Sequence, residues 1–187
     1  MRMAALRFSG ALCVLLSVVS TARAQSLLGQ GPPSFRLLAA RVPQAAANGL
    51  VTEFRIQWTS TRINGTAAGA PARTHSFELL EAKMASGRLR RERRPELSVD
   101  QLVVVVQAAD GRELDWRLLG NPRIVRAELP GPDGRLDGQV FERDAVELSF
   151  AIPRLPDATT IRIYQPRWTG TDYVLDQIGD VAVAGSR

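Results

Sequence analysis

The densest chemistry in this chain is Arg88-Leu89-Arg90-Arg91-Glu92-Arg93-Arg94, with five arginines in seven residues. Planar guanidinium forks at that spacing suit bidentate hydrogen bonds to phosphate or carboxylate groups. An anionic glycan, a lipid headgroup or an acidic protein would all supply such groups. The plainer reading is a solvated loop or edge strand, where charge discourages unwanted strand pairing. A second candidate is Pro166-Arg167-Trp168-Thr169-Gly170-Thr171-Asp172-Tyr173. A tryptophan and a tyrosine at a hairpin tip, with Arg167 beside them, suit carbohydrate stacking or a protein contact. Trp168 folded back over the end of the core is the plainer alternative.

Catalytic chemistry has few residues to draw on. His75 is the sole histidine, so any imidazole mechanism rests on it. Ser76 adjoins it, but neighbours in a strand point to opposite faces, and no G-x-S-x-G elbow exists. His75 is read as a surface or strand-end residue. The only cysteine, Cys13, lies in an N-terminal apolar run, so no thiol metal site is expected beyond it. Asp133 and Asp137, within Pro-Asp-Gly-Arg-Leu-Asp-Gly, occupy two positions of a calcium-type loop, but Arg135 stands where an oxygen ligand belongs. Two Asp-Gly turns explain that stretch better. Glu142, Asp144 and Glu147, and separately Asp176 and Asp180, are close in sequence. Facing carboxylates could serve glycoside hydrolysis, yet the wet faces of strands account for all five. No catalytic residue, metal ligand or cofactor is expected.

The elements that must position these residues follow from charge order and periodicity. Arg2 and Arg7, the apolar run Ala11 to Val19 and Ala22-Arg23-Ala24 form a secretory signal peptide over 1–24, with cleavage before Gln25. That run is too short to span a bilayer, which takes about 20 apolar residues. Export to the periplasm or cell exterior is therefore expected, with no membrane-spanning segment. Without Arg2, Arg7 and Arg23 the 24 basic residues become 21 against 19 acidic, a net charge of +2. The high isoelectric point reflects arginine replacing lysine, since Lys83 is the only lysine. Charge therefore gives no case for nucleic acid.

Alternation at a period of two dominates the rest. Thr52, Phe54, Ile56 and Trp58 fall on one strand face, and Val146, Leu148, Phe150 and Ile152 on another. Leu102 to Val106 is apolar throughout and β-branched, as a central strand covered on both faces would be. Asp110-Gly111 marks a hairpin into 113–119, and Pro130 to Gly134 a surface loop. Further strands are expected at 35–42, 76–84, 123–129, 160–165 and 173–183. A loose N-terminal lead covers 25–34. One domain is expected over 35–187, with a long loop at 59–75.

Seven to nine short strands without a long amphipathic helix predict an all-β, antiparallel two-sheet sandwich. The segment Leu155-Pro156-Asp157-Ala158-Thr159-Thr160, followed by Ile161-Arg162-Ile163-Tyr164, resembles the corner leading into a late strand of immunoglobulin-like or fibronectin-type domains. That resemblance implies ligand-binding loops at one end of the sandwich. The expected function is an exported, non-catalytic binding or assembly module of the bacterial cell envelope, recognising another protein or peptide through loops or a sheet edge. The alternatives are anionic glycan or surface binding through Arg88, Arg90, Arg91, Arg93 and Arg94, or a carboxylate-dependent periplasmic hydrolase.

Overall fold

Alternating burial along the strands builds two antiparallel sheets, seen in a computed structural model that describes residues 33–63, 73–130 and 135–183. The predicted signal peptide, most of the lead, the centre of the 59–75 segment and the 131–134 loop lie outside those residues. So does the Asp133 half of the calcium-type reading. The described residues belong to one compact unit, Pro32–Arg187. Among them, no helix is long and apolar enough to cross a membrane.

The first sheet has the order β2 (Arg73–Leu89), β1 (Ala47–Arg62), β7 (Ala145–Pro153). The second has the order β4 (Glu113–Gly120), β3 (Gln101–Ala108), β8 (Ala158–Trp168), β9 (Tyr173–Ala182). Phe54, Ile56 and Trp58 from β1 and Val146, Leu148, Phe150 and Ile152 from β7 form one wall of the core. Leu102, Val104 and Val106 from β3 and Ile161 and Ile163 from β8 form the other. The arrangement is sandwich-like, as the period-two pattern predicted. β5 (Ile124–Pro130) and β6 (Leu136–Glu142) pair only with each other, in a separate two-stranded sheet.

Two expectations are corrected. Residues 35–42 form no strand, because Phe35–Arg41 is an α-helix, α1. Phe35, Leu38 and Val42 are buried, at spacings of three and four that place them on one helical face. Leu, Ala and Arg favour the helix, and Pro43 helps to end it, because the residue before a proline is pushed to extended backbone. The 59–75 segment is not a loop throughout, since β1 and β2 stay paired from Trp58 with Phe77 out to Arg62 with Arg73. The hairpin at Asp110-Gly111 forms as expected, with Gly111 in the left-handed conformation at φ +84°. A single reversing glycine closes this turn.

α1 explains why β3 is apolar on both faces. Leu102, Val104 and Val106 enter the core between the sheets. Val103 and Val105 enter a second cluster, with Phe35, Leu38, Val42, Trp116, Tyr164 and Leu175. Trp116 fixes the helix in place: its Nε1 donates to Val42 O at 2.7 Å, and its ring meets Phe35 edge-on at 5.3 Å.

Candidate functional site

The β8–β9 hairpin carries its aromatic pair on a turn tied down from several sides. Trp168 and Tyr173 are the last cross-strand partners before the tip, so their side chains share one face. Gly170 reverses the chain at φ +100°. Thr169 N and Oγ1 both donate to Asp172 O, at 3.0 and 2.8 Å. Asp172 in turn accepts from the Ser34 hydroxyl at 2.5 Å and from Tyr173 N at 2.8 Å. These bonds, the Ser34 one foremost, hold its carboxyl below the usual range. Ser34 also bridges to Val174, and Pro33 O accepts from Leu175 N, so the entry to α1 braces the hairpin.

Tyr173 packs against the cluster beneath α1. Trp168 rests on Tyr173, with ring centroids 4.9 Å apart, and remains 51% exposed. The indole therefore stands outside the core. Arg167, its neighbour on the opposite face, grips Asp176 with both ends of its fork at 2.7 and 3.2 Å. Of the three residues singled out at this tip, the structure brings Trp168 and Tyr173 together and turns Arg167 to an internal partner.

The arginine run begins at the end of β2. Arg88 is the last residue but one of that strand, and Arg90 to Arg94 continue as an exposed connection. Arg88, Arg90, Arg91 and Arg93 line an open groove of about 660 Å³ with Ala46 to Asn48, while Arg94 lies outside it. The connection is anchored by Gln44, which is buried. Its Oε1 accepts from Glu92 N at 2.7 Å, and its Nε2 donates to Trp116 O at 3.3 Å.

His75 sits in a cluster that sequence reasoning missed. It faces inward, cross-strand from Ser60, and its Nδ1 accepts from Trp58 Nε1 at 3.2 Å. That bond assigns the neutral tautomer with the proton on Nε2. Burial lowers its pKa below the ordinary 6.5, and the charges of Arg123 and Arg73 lower it further. Arg123 lies 4.9 Å over the Trp58 ring and donates to Arg143 O at 2.7 Å. Arg73 bonds Asp144 at 3.1 Å, Glu142 at 3.3 Å and Ser60 Oγ at 3.4 Å. Serine, histidine and aspartate thus occur in one cluster, but Arg73 links Ser60 to Asp144, and His75 bonds Trp58. Ser76 is exposed on the other face. The signal that could have found this cluster is the β1–β2 register, which the small residues of the 59–75 segment hide.

The carboxylates are similarly engaged. Glu147 is held by Arg55 at 2.7 and 2.8 Å, which lowers its pKa. Asp115 has a raised carboxyl pKa, and burial is the main cause. It is 0% exposed, accepts from Ala45 N and Arg117, and lines none of the grooves described above. No group of three or more His, Cys, Asp or Glu among the described residues could hold a metal ion. No protein-family model, curated protein or solved structure matches this chain.

Proposed function

We propose that this protein is an exported, non-catalytic binding or assembly module of the bacterial cell envelope, recognising another protein or peptide through the Trp168 hairpin. The observation that carries the reading is a half-exposed tryptophan propped on a tyrosine at a turn whose backbone is already fixed. Aromatic anchors dominate protein contacts, and a tip held in one conformation loses little entropy on binding. Arg167 acts there as a brace through Asp176 and not as a ligand contact.

We further assign the sandwich to the immunoglobulin-like kind. The order β4-β3-β8-β9 parallels the C′-C-F-G sheet of such domains, and β7 beside β1 parallels E beside B. The hairpin bearing Trp168 then corresponds to the F–G loop, one of the loops that bind ligand in variable-type domains. β2 departs from that pattern, since it follows β1 in sequence where strand A would precede it.

The test is capture from the source cell envelope with the purified protein and its Trp168→Ala variant, washed at high salt. A protein partner held by the parent and lost by a folded variant supports the reading. The same partner held equally by both sinks the hairpin as the contact.

A further inference from the structure

The arginine groove lies outside the Trp168 reading, and its chemistry is distinct. Among the described residues, Arg41, Arg55, Arg73, Arg112, Arg117, Arg123, Arg126 and Arg167 all have carboxylate partners. Arg88, Arg90, Arg91, Arg93 and Arg94 have none. Arg62, Arg143, Arg154 and Arg162 also form no ion pair, but they are scattered along the chain, whereas these five fall within seven residues where the chain is also concave. Of the acids in the same connection, Glu92 and Glu96 are drawn onto no guanidinium, and Asp100 pairs with Arg126, outside the run.

The connection is also held in position. Gln44 fixes Glu92 N and is itself fixed by Trp116 O. Leu97, farther along, packs into the cluster under α1. Arg88 is set by its place in β2, opposite Asn48 of β1. The like charges are thus gathered by the fold around an opening whose uncharged lining is Ala46, Ala47, Asn48 and Leu89. An opening of about 660 Å³ falls within the roughly 300–1,000 Å³ of ordinary ligand sites. Several guanidinium forks around one opening match closely spaced tetrahedral oxyanions, each able to accept two parallel bonds.

We propose that this groove binds a ligand carrying closely spaced phosphate groups, either a soluble polyphosphorylated molecule or the phosphate headgroups of a bilayer surface. The site is independent of the Trp168 hairpin. The probes are inorganic tripolyphosphate, polyglutamate, and vesicles of phosphatidylcholine with or without phosphatidylglycerol. Binding to the purified protein is measured at low and high salt. Tripolyphosphate should bind more tightly than polyglutamate, and its affinity should fall as salt rises, because screening shortens the reach of charge to about 10 Å or less. The double variant Arg90→Gln, Arg93→Gln should lose about tenfold or more in affinity, as expected for two charge-assisted bonds. The double variant Arg55→Gln, Arg126→Gln removes the same charge from ion-paired arginines and should lose less than about threefold. Added binding to phosphatidylglycerol vesicles identifies the bilayer source, and binding to tripolyphosphate alone the soluble one. Equal losses in the two double variants, polyglutamate binding as tight as tripolyphosphate, or no binding to either phosphate probe would overturn the proposal.

Discussion

Replacing Gly179 by alanine tests how closely the two sheets approach at β2 and β9. A Cβ on Gly179 would lie within 3.0 Å of both Cδ2 and Cε2 of Phe77, with Cγ at 3.4 Å. The backbone itself gives no objection, since Gly179 is not among the positive-φ glycines. The whole cost is therefore steric. Phe77 cannot retreat freely, because its ring stacks on Trp58 at 5.4 Å and 23°, and Trp58 is fully buried. Overpacking costs about 1–3 kcal/mol, and part of an aromatic pair worth about 0.5–1.5 kcal/mol is lost as the ring shifts. Gly179→Ala should thus destabilise by about 3 kcal/mol. In a domain of this size that lowers Tm by about 6–12 °C. The assay is thermal and urea unfolding of the parent, Gly179→Ala, Phe77→Ala and the double variant. Phe77→Ala alone leaves a hole, and in the double variant the new methyl occupies part of it. The double variant should accordingly be at least as stable as Phe77→Ala, a coupling of about 3 kcal/mol. Additive losses, or a Gly179→Ala protein as stable as the parent, would refute the close approach.

Two further outcomes follow from buried polar groups. His75 has a folded pKa below its unfolded value of 6.5, so the fold favours the neutral ring. Its contribution is present above pH 6.5 and is lost as pH falls through the depressed folded value. Tm should drop across that window in the parent and less in His75→Gln; equal pH profiles would contradict the partial burial of His75 beside Arg123 and Arg73. Arg117→Met should cost about 3 kcal/mol by leaving Asp115 buried without its partner, and the double variant with Asp115→Asn should recover much of it. Urea unfolding checks both, and a neutral Arg117→Met would remove the pair's role in anchoring Ala45.

The strands were legible wherever one face is wet. In β7, Val146, Leu148, Phe150 and Ile152 are buried while Glu147 and Ser149 are exposed, and that alternation stands in the sequence itself. β3 was legible for the converse reason, since two covered faces leave no polar positions. α1 was not, because seven residues make barely two helical turns and Phe35-Arg36-Leu37-Leu38 fits both patterns. β6 was missed because Asp137, Gly138 and Gln139 resemble turn residues, and its only partner is β5. At the candidate sites, residue types indicated Trp168, Tyr173 and the arginines. They could not show that Arg167 is claimed by Asp176, that Gln44 holds the connection, or that Ser34 reaches Asp172 across 138 residues. Those facts belong to tertiary contact, which local spacing does not encode.

The pairing of β1 with β7 carries a consequence for the order of events in the chain's life. Val51 lies against Pro153 and Thr59 against Ala145, so that sheet waits for residues made some 90 to 100 positions later. β3 likewise waits for β8. Sheets closed by such distant partners form slowly, because the entropy of a long loop is lost before its contacts repay it. A chain with this wiring stays open while it emerges, with only its hairpins ready to form early. For a protein exported as proposed, slow closure keeps it thin enough to be threaded through a membrane pore, and the sandwich then shuts on the far side.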